Sequence, residues 1–493
     1  MSPAAETPVE RIALAPGLEI SRVVTGLWQV ADMERASGRL DLHATARELA
    51  PYVEAGLTTF DVADHYGSAE EIVGALARAE GRRPEALTKW VPQPGPVAAA
   101  QVREAVERSL RRLDTDAIDL LQFHAWSYSD PAWLDALYAL DDLRREGRIR
   151  HLGLTNFDTA HLRVVLESGI PVVSNQVCYS LLDQRPRNAM TELCRARGVA
   201  LLAYGTLAGG LLTERYLGAP DQSVEEMGTW SKMKYRRFLE QAGGWPALQR
   251  LLAALAPIAR RHGVSVAAVA TRFILERPAV AAVIVGARPG ESDHLAANRR
   301  LTGFALAAGD RAAIEAALAE LQAIPGDCGD EYRRPPYLTA SGDLSHHLDV
   351  VPPPYRPRED EDGRLRVSSG TPWEEWAGYS RAIRVGDRIL VSGTTATHGG
   401  RRIGGDDPVA QAHFVIDKIE AALRSLGGRL EEVVRTRVFV ARLSDWEAVA
   451  RVHGERFGRI RPVNTLVEAR LIDDGYLVEI EAEAVVTGSR ARP

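Results

Sequence analysis

Eight times from about residue 20 onward, the sequence passes from a short run rich in β-branched and aliphatic residues into a longer stretch with helical spacing. That alternation calls for repeated βα units whose strands lie parallel. The strand candidates are Val23–Val30, Thr58–Asp64, Ala86–Val91, Ala117–His124, His151–Asn156, Val172–Tyr179, Ala200–Leu207 and Val280–Ala287. Between them, Pro131–Gly147 is typical: Leu134, Leu137, Tyr138 and Leu143 fall near one helical face, charged residues fill the other positions, and Gly147 supplies the stop. Eight units within roughly three hundred residues match a (β/α)8 TIM barrel of the α/β class. An open doubly wound sheet would show fewer strands and an early glycine-rich phosphate turn, and no GxGxxG follows the first strand. The long segment Thr213–Gly244, between the seventh strand and its helix, reads as a lid or substrate loop.

The pattern changes after a helix expected over Asp310–Ala323. Val350–Arg366 combines Pro352-Pro353-Pro354, Pro357 and the charge run Arg358-Glu359-Asp360-Glu361-Asp362, which reads as an exposed linker. Beyond it come a hairpin (Ser380–Thr395, turning near Gly386-Asp387), a helix (Asp407–Leu426), a strand (Val433–Leu443), a helix (Asp445–Phe457) and two strands (Thr465–Leu471 and Tyr476–Thr487). In the last, Val478, Ile480, Ala482 and Ala484 alternate with Glu479, Glu481 and Glu483, so one face packs and the other is polar. The expected organisation is a barrel over 1–349, a linker over 350–366 and a smaller α+β domain over 367–493. A chain of 493 residues is long enough for two cores.

A net charge of −6 gives no long-range field to draw nucleic acid or anionic lipid, so neither is expected as a partner. The first residues lack a basic start followed by an apolar run, and no apolar stretch is long enough to span a bilayer, which points to the cytoplasm. Cys178, Cys194 and Cys328 have no CxxC spacing and read as ordinary thiols. HExxH, GxSxG and Walker motifs are lacking, and His346-His347 is an adjacent pair whose side chains diverge, so no metal site is expected.

In a barrel of this kind the strands' C-terminal ends build the site. Asp61 and Tyr66 follow the second strand, Lys89 lies at the end of the third and His124 at the end of the fourth, so the four can converge on one cleft. Their chemistry suits carbonyl reduction. A free tyrosine has a pKa near ~10, and a neighbouring ammonium lowers it by stabilising the phenolate. Lys89 would do this for Tyr66, Asp61 would hold Lys89, and His124 would donate a hydrogen bond to the substrate oxygen as negative charge develops there.

With these residues in order, the sequence from about residue 10 to 349 resembles the aldo-keto reductase family. Further matches extend the likeness: Gly26-Leu27-Trp28 resembles a first-strand cofactor contact, Thr155-Asn156-Phe157 the family's Ser-Asn-Phe element and Asn175-Gln176-Val177 its Asn-Gln-Val element. The resemblance implies that Asn156 and Gln176 hold the nicotinamide carboxamide, with Gly26, Trp28 and Thr155 beside the cofactor. It also implies that Tyr204 stacks on the ring, next to Gly205 and Leu207. Gly286, Arg288, Ser292, His294 and Asn298 resemble the loop and helix start that grip the cofactor phosphate, where a helix N-terminus suits an anion. Arg288 favours NADP, with NAD as the alternative. The implied activity is NAD(P)H-dependent interconversion of a small aldehyde or ketone with its alcohol. The competing reading is a nucleotide-sensing scaffold with little turnover.

Residues 367–488 resemble the Rid (reactive intermediate deaminase, YjgF-like) family, of chorismate-mutase-like α+β fold. The likeness rests on Ser368-Ser369-Gly370-Thr371, Gly378-Tyr379-Ser380-Arg381-Ala382, Val391-Ser392-Gly393-Thr394 and Val478-Glu479-Ile480-Glu481. It implies a homo-oligomer, trimeric through this domain, with clefts in which an arginine binds a substrate carboxylate and a glutamate assists attack on an imine. Glu479 matches the glutamate, although a solvated place on an alternating strand explains it equally well. Asn464 falls where the arginine is expected, and an amide cannot form the bidentate charged clamp. Three roles stay open: oligomerisation or small-metabolite binding, hydrolysis of a reactive imine or related intermediate in a bifunctional enzyme, and carriage of a small molecule beside the reductase site.

Overall fold

The computed structural model describes residues 8–291, 294–334 and 351–487. Its larger part is the expected closed barrel. Strands β1 (Val23–Gly26), β2 (Thr59–Asp61), β3 (Glu85–Trp90), β4 (Ile118–Phe123), β5 (Ile149–Thr155), β6 (Val172–Cys178), β7 (Ala200–Tyr204) and β8 (Val280–Gly286) pair in parallel, and β8 closes on β1. Helices surround them because their apolar residues recur at helical spacing: on Ala99–Leu113 the buried side chains include Val102, Ala105, Val106, Leu110 and Leu113. The Pro131–Gly147 segment forms a helix over Ala132–Arg145, after which Gly147 turns the chain at φ +82°.

Three barrel-strand expectations shorten by three residues or more, β7 among them, ending at Tyr204 rather than Leu207. β1 stops at Gly26 because Trp28 opens the helix Trp28–Ser37. β2 stops at Asp61, although Val62 and Asp64 still donate to the carbonyls of Leu87 and Lys89, so the loop carrying Tyr66 leaves along the edge of β3. A hairpin that sequence reading missed, Arg11–Ala15 with Leu18–Ser21, places Ala15, Leu18 and Ile20 against Val24, Leu87, Leu120 and Leu202 and so plugs the barrel. The Thr213–Gly244 segment carries short 3-10 turns and the helix Trp230–Gln241, which buries Lys234, Tyr235, Phe238 and Leu239.

The smaller part is a seven-stranded sheet. Its order is Arg358–Glu359, Leu365–Val367, Ala382–Val385, Arg388–Thr395, Val478–Val485, Val433–Val440 and Val463–Glu468, antiparallel except for the last pair. The helix Pro408–Ser425 packs on the strands Arg388–Thr395 and Val478–Val485 and against the helix Trp446–Phe457. The expected linker is therefore not free chain where it is described: its charge run folds into the edge of this sheet. The carboxylate of Asp360 accepts from the N–H groups of Asp362 and Arg364 and bonds Arg366, a local turn that sets Arg358 opposite Arg366. Upstream, Tyr355 is buried and its N–H donates to Ser425 Oγ at 2.9 Å.

The two parts meet through side chains of the barrel helix Thr159–Glu167 and the helix Pro408–Ser425. His161 bonds Asp417 at 2.9 Å, and Arg163 bonds Asp407 at 2.8 Å. Among the described residues, no helix is long and apolar enough to cross a membrane.

Candidate active site

At the C-terminal rim of the barrel opens a cavity of about 650 Å³. Asp61, Tyr66, Lys89 and His124 all line it. Asp61 and Lys89 lie on neighbouring strands, so register alone brings their side chains together. Lys89 Nζ donates to both Asp61 carboxylate oxygens at 2.7 Å and to the Val62 carbonyl at 2.9 Å. Burial pushes the Lys89 ammonium below its ordinary 10.5, and the Asp61 carboxylate pulls the other way. The loop after β2 then carries Tyr66 over this pair: Lys89 Nζ lies 4.8 Å from the centre of the Tyr66 ring, which also meets Trp28 edge-on at 5.0 Å.

His124 is buried, and burial together with the Arg333 charge holds it well below its ordinary 6.5. The ring is neutral at physiological pH. Its Nδ1 lies 3.4 Å from the Thr155 carbonyl, and its buried Nε2 has no hydrogen-bond partner among the described residues.

The cofactor candidates are brought to the same cavity with few exceptions. Gly26, Trp28, Thr155, Asn156, Gln176, Tyr204, Gly205, Leu207, Gly286, Arg288 and His294 all line it. Gln176 spends its amide N–H groups on Asp61 (2.7 Å) and Gln122 (3.0 Å). Asn156 Oδ1 accepts from the Tyr204 hydroxyl at 2.8 Å. At Gly286 a Cβ would lie 2.6 Å from the end of the Gln29 side chain, which also lines the cavity. Arg288 is partly exposed and paired with Glu291 at 2.7 Å. Asn298 is buried on the short helix Leu295–Arg300 and does not line the cavity, while Ser292 lies outside the described residues.

The individual residues that the 213–244 insertion brings to the cavity were not legible in the sequence. The 213–244 insertion supplies Arg215, Trp230, Lys232 and Lys234, and the tail past the last barrel helix supplies Tyr332. Lys234 Nζ donates to the Tyr332 hydroxyl at 2.6 Å and lies 5.2 Å from the Tyr204 ring centre. The neighbouring Glu331 is buried; burial favours its neutral form, but Arg185 and Lys234 outweigh that and hold its carboxyl below the usual range. Both segments stand out in sequence as specificity loops, but their contacts depend on tertiary placement. Trp28 and Trp126 line the cavity, whereas Trp90 packs on Phe123 and does not line it.

Comparison with known proteins agrees with this arrangement. The model of the Aldo/keto reductase family matches residues 22–319, more than half of the chain. The chain belongs to the aldo/keto reductase family. The Bacillus subtilis aldo-keto reductase YhdN is 27% identical over 342 residues, which cover 65% of the chain and 96% of that protein. A glycerol dehydrogenase structure from Gluconobacter oxydans superposes with a TM-score of 0.51 at 23% identity over 66% of the chain and 98% of its own, and so shares the fold. The C-terminal part of this reductase matches the Endoribonuclease L-PSP model over 372–486. There it is 43% identical over 120 residues to an uncharacterized protein of Streptomyces coelicolor, covering 24% of the chain and 90% of that protein. The reductase thus carries a Rid (YjgF-like) domain, and its barrel is that of an oxidoreductase family.

In the Rid domain the two sequence candidates lie apart in environment. Glu479 sits on the strand Val478–Val485 against Gly393, where a Cβ would strike its carboxylate, and burial raises its carboxyl above the ordinary range. Asn464 is on the edge strand Val463–Glu468 and donates to Thr436 Oγ1 at 2.9 Å. The domain's buried Arg381 is bonded to Glu374, to the Gly393 carbonyl and to Thr394.

Proposed function

We propose that the barrel interconverts an aldehyde or ketone with its alcohol using NADP(H). The observation that carries this reading is the buried Asp61–Lys89 pair lying beneath Tyr66 in a cavity that His124 also lines. A bound nicotinamide dinucleotide supplies the hydride. Lys89, kept charged by Asp61, stabilises the Tyr66 phenolate and so lets Tyr66 exchange a proton with the substrate oxygen. His124, neutral and with a buried Nε2 that has no hydrogen-bond partner among the described residues, orients that oxygen by a hydrogen bond at Nε2 rather than competing as the acid.

The residues present fit such a dinucleotide. Asn156 Nδ2 and Gln176 Oε1 line the cavity and complement a carboxamide once their other amide atoms are engaged as described. Arg288, with Arg215, Lys232 and His294 on the same cavity, supports the 2′-phosphate of NADP. The Arg288–Glu291 pair is partly exposed, and pairs of that kind open at a cost of about 0–1 kcal/mol. A screen of sugars, aromatic aldehydes and keto acids for NADPH and NADH oxidation tests the reading. Turnover of at least one class, faster with NADPH, is expected; inactivity with every class and both dinucleotides refutes it.

For the Rid domain the reading is an oligomerising or small-metabolite-binding module. Asn464 supplies no charge for a carboxylate, and the strand that bears it exposes Val463 and Val467, an apolar edge suited to a second copy of the domain. On this reading the protein is a homo-oligomer, trimeric through its Rid domain and working in the cytoplasm. Light scattering of the full chain tests the assembly: a trimeric mass is expected, and a monomer at micromolar concentration contradicts it.

A further inference from the structure

The loop after His124 and the turn at Asn156 are held from behind by a continuous set of contacts that ends in the Rid domain. Arg333, in the tail past the barrel's last helix, donates from Nη1 to the Asn156 carbonyl at 2.6 Å and from Nε and Nη2 to the Ala125 carbonyl at 2.9 and 2.5 Å. Asn156 takes φ +59°, a left-handed conformation that asparagine adopts more readily than most residues with a Cβ. Gly329 allows the close approach: a Cβ there would lie 2.0 Å from the Asn156 carbonyl oxygen.

The Arg333 guanidinium in turn rests over the Tyr128 ring, 4.3 Å from its centre. His161 stacks on that ring at 3.4 Å between centres with the planes 6° apart. His161 is fixed at both nitrogens, Nδ1 by Asp158 at 2.6 Å and Nε2 by Asp417 of the Rid domain at 2.9 Å. Asp417 is itself buried and takes a bond from Arg456 at 2.7 Å. A second Rid residue, Arg424, donates to Ser127 and Ser129 on the same loop.

From this geometry we infer that the Rid domain is a positioning element of the reductase site: Asp417, through His161 and Tyr128, sets Arg333, and Arg333 sets the Asn156 carbonyl and the loop bearing His124. The inference rests on the reductase reading, because it assigns Asn156 to the dinucleotide. Arg333, Tyr128, His161 and Asp417 are positioning residues, and none of them needs to touch substrate.

The test is a double-mutant cycle in the full chain, read by fluorescence titration of NADPH and by kcat and KM for a carbonyl that the wild type turns over. Asp417→Asn and Arg333→Lys are each expected to weaken NADPH binding by about three- to thirtyfold, the range for residues along a coupling network, and the double variant to be no weaker than the poorer single one. Asp407→Asn is the control. It removes the Arg163 ion pair from the same interface while retaining a good helix cap, and it is expected to leave NADPH binding unchanged. Should D417N not fold, His161→Gln keeps an N–H for Asp417 but takes the ring off Tyr128, and gives the same readout. Wild-type affinity retained in D417N or H161Q, additive losses in the double variant, or an equal loss in D407N overturns the inference. A wild type that binds no dinucleotide overturns the reductase reading instead.

Discussion

At the level of single residues, the catalytic candidates were legible because each is a reactive side chain at, or on the loop just after, the C-terminal end of a parallel strand. Asp61 and Lys89 meet because β2 and β3 are neighbours in a parallel sheet, and no loop conformation enters into it. Phosphate contacts were less legible. Asn298 shares the expected motif but is buried on its short helix and does not line the cavity. Arg288 carries a prediction of its own: Arg288→Leu is expected to weaken NADPH binding about tenfold or more while changing NADH binding little, since a charged hydrogen bond to the 2′-phosphate is lost. Equal losses for both dinucleotides in parallel titrations would remove Arg288 from cofactor discrimination. In the Rid domain, Glu479→Gln is expected to change nothing in ammonia release from 2-aminoacrylate by the full chain, because Asn464 leaves the carboxylate unanchored. Robust, Glu479-dependent release would restore the hydrolase reading.

At the level of elements, periodicity recovered the eight barrel strands and the order of the Rid domain, because both rest on burial patterns that repeat along the chain. What it missed was structure determined by partners. The Arg11–Ser21 hairpin is too short to show a period and exists because Ile20 and Leu18 fill the barrel floor. The expected linker became a sheet edge because Asp360 caps its own turn and the Leu365–Val367 strand had a neighbour to pair with. The junction of the helices Thr159–Glu167 and Pro408–Ser425 makes a pH-dependent contribution. Burial opposes charge on His161, but Asp158 and Asp417 outweigh it and raise the imidazole above its ordinary 6.5. A raised pKa means that the folded state binds the proton more tightly, so this stabilisation is complete below pH 6.5 and is lost as pH rises through the folded value. The carboxyls of Asp158 and Asp417 are held below 3.8, so their share is present above that pH and fails in acid. His413, 6.4 Å away, is pushed down to about 4 by burial and stays neutral through this window. Thermal unfolding at pH 6 and pH 9 is expected to show a larger loss of stability with rising pH in the wild type than in H161Q. Equal slopes would show that His161 does not hold the junction.

At the level of the whole molecule, two folds that are each self-sufficient in pattern share buried bonds. His161 and Asp417 are both almost wholly inaccessible, so separating the parts would expose an imidazolium and a carboxylate together. The reductase cavity then has three sources: the barrel rim for Asp61, Lys89 and His124, the 213–244 insertion for Lys234, and the tail for Tyr332, whose neighbour Arg333 braces the site from behind and leans on the Rid contact. Everything in this account depends on Tyr66 acting as the proton donor in that cavity. The most direct test measures NADPH affinity and carbonyl-dependent NADPH oxidation for the wild type and Tyr66→Phe side by side. Unchanged affinity with turnover reduced about 10²- to 10⁴-fold is predicted, the range for loss of a general acid. Tight NADPH binding with no turnover of any carbonyl, or turnover that Y66F leaves intact, would contradict it.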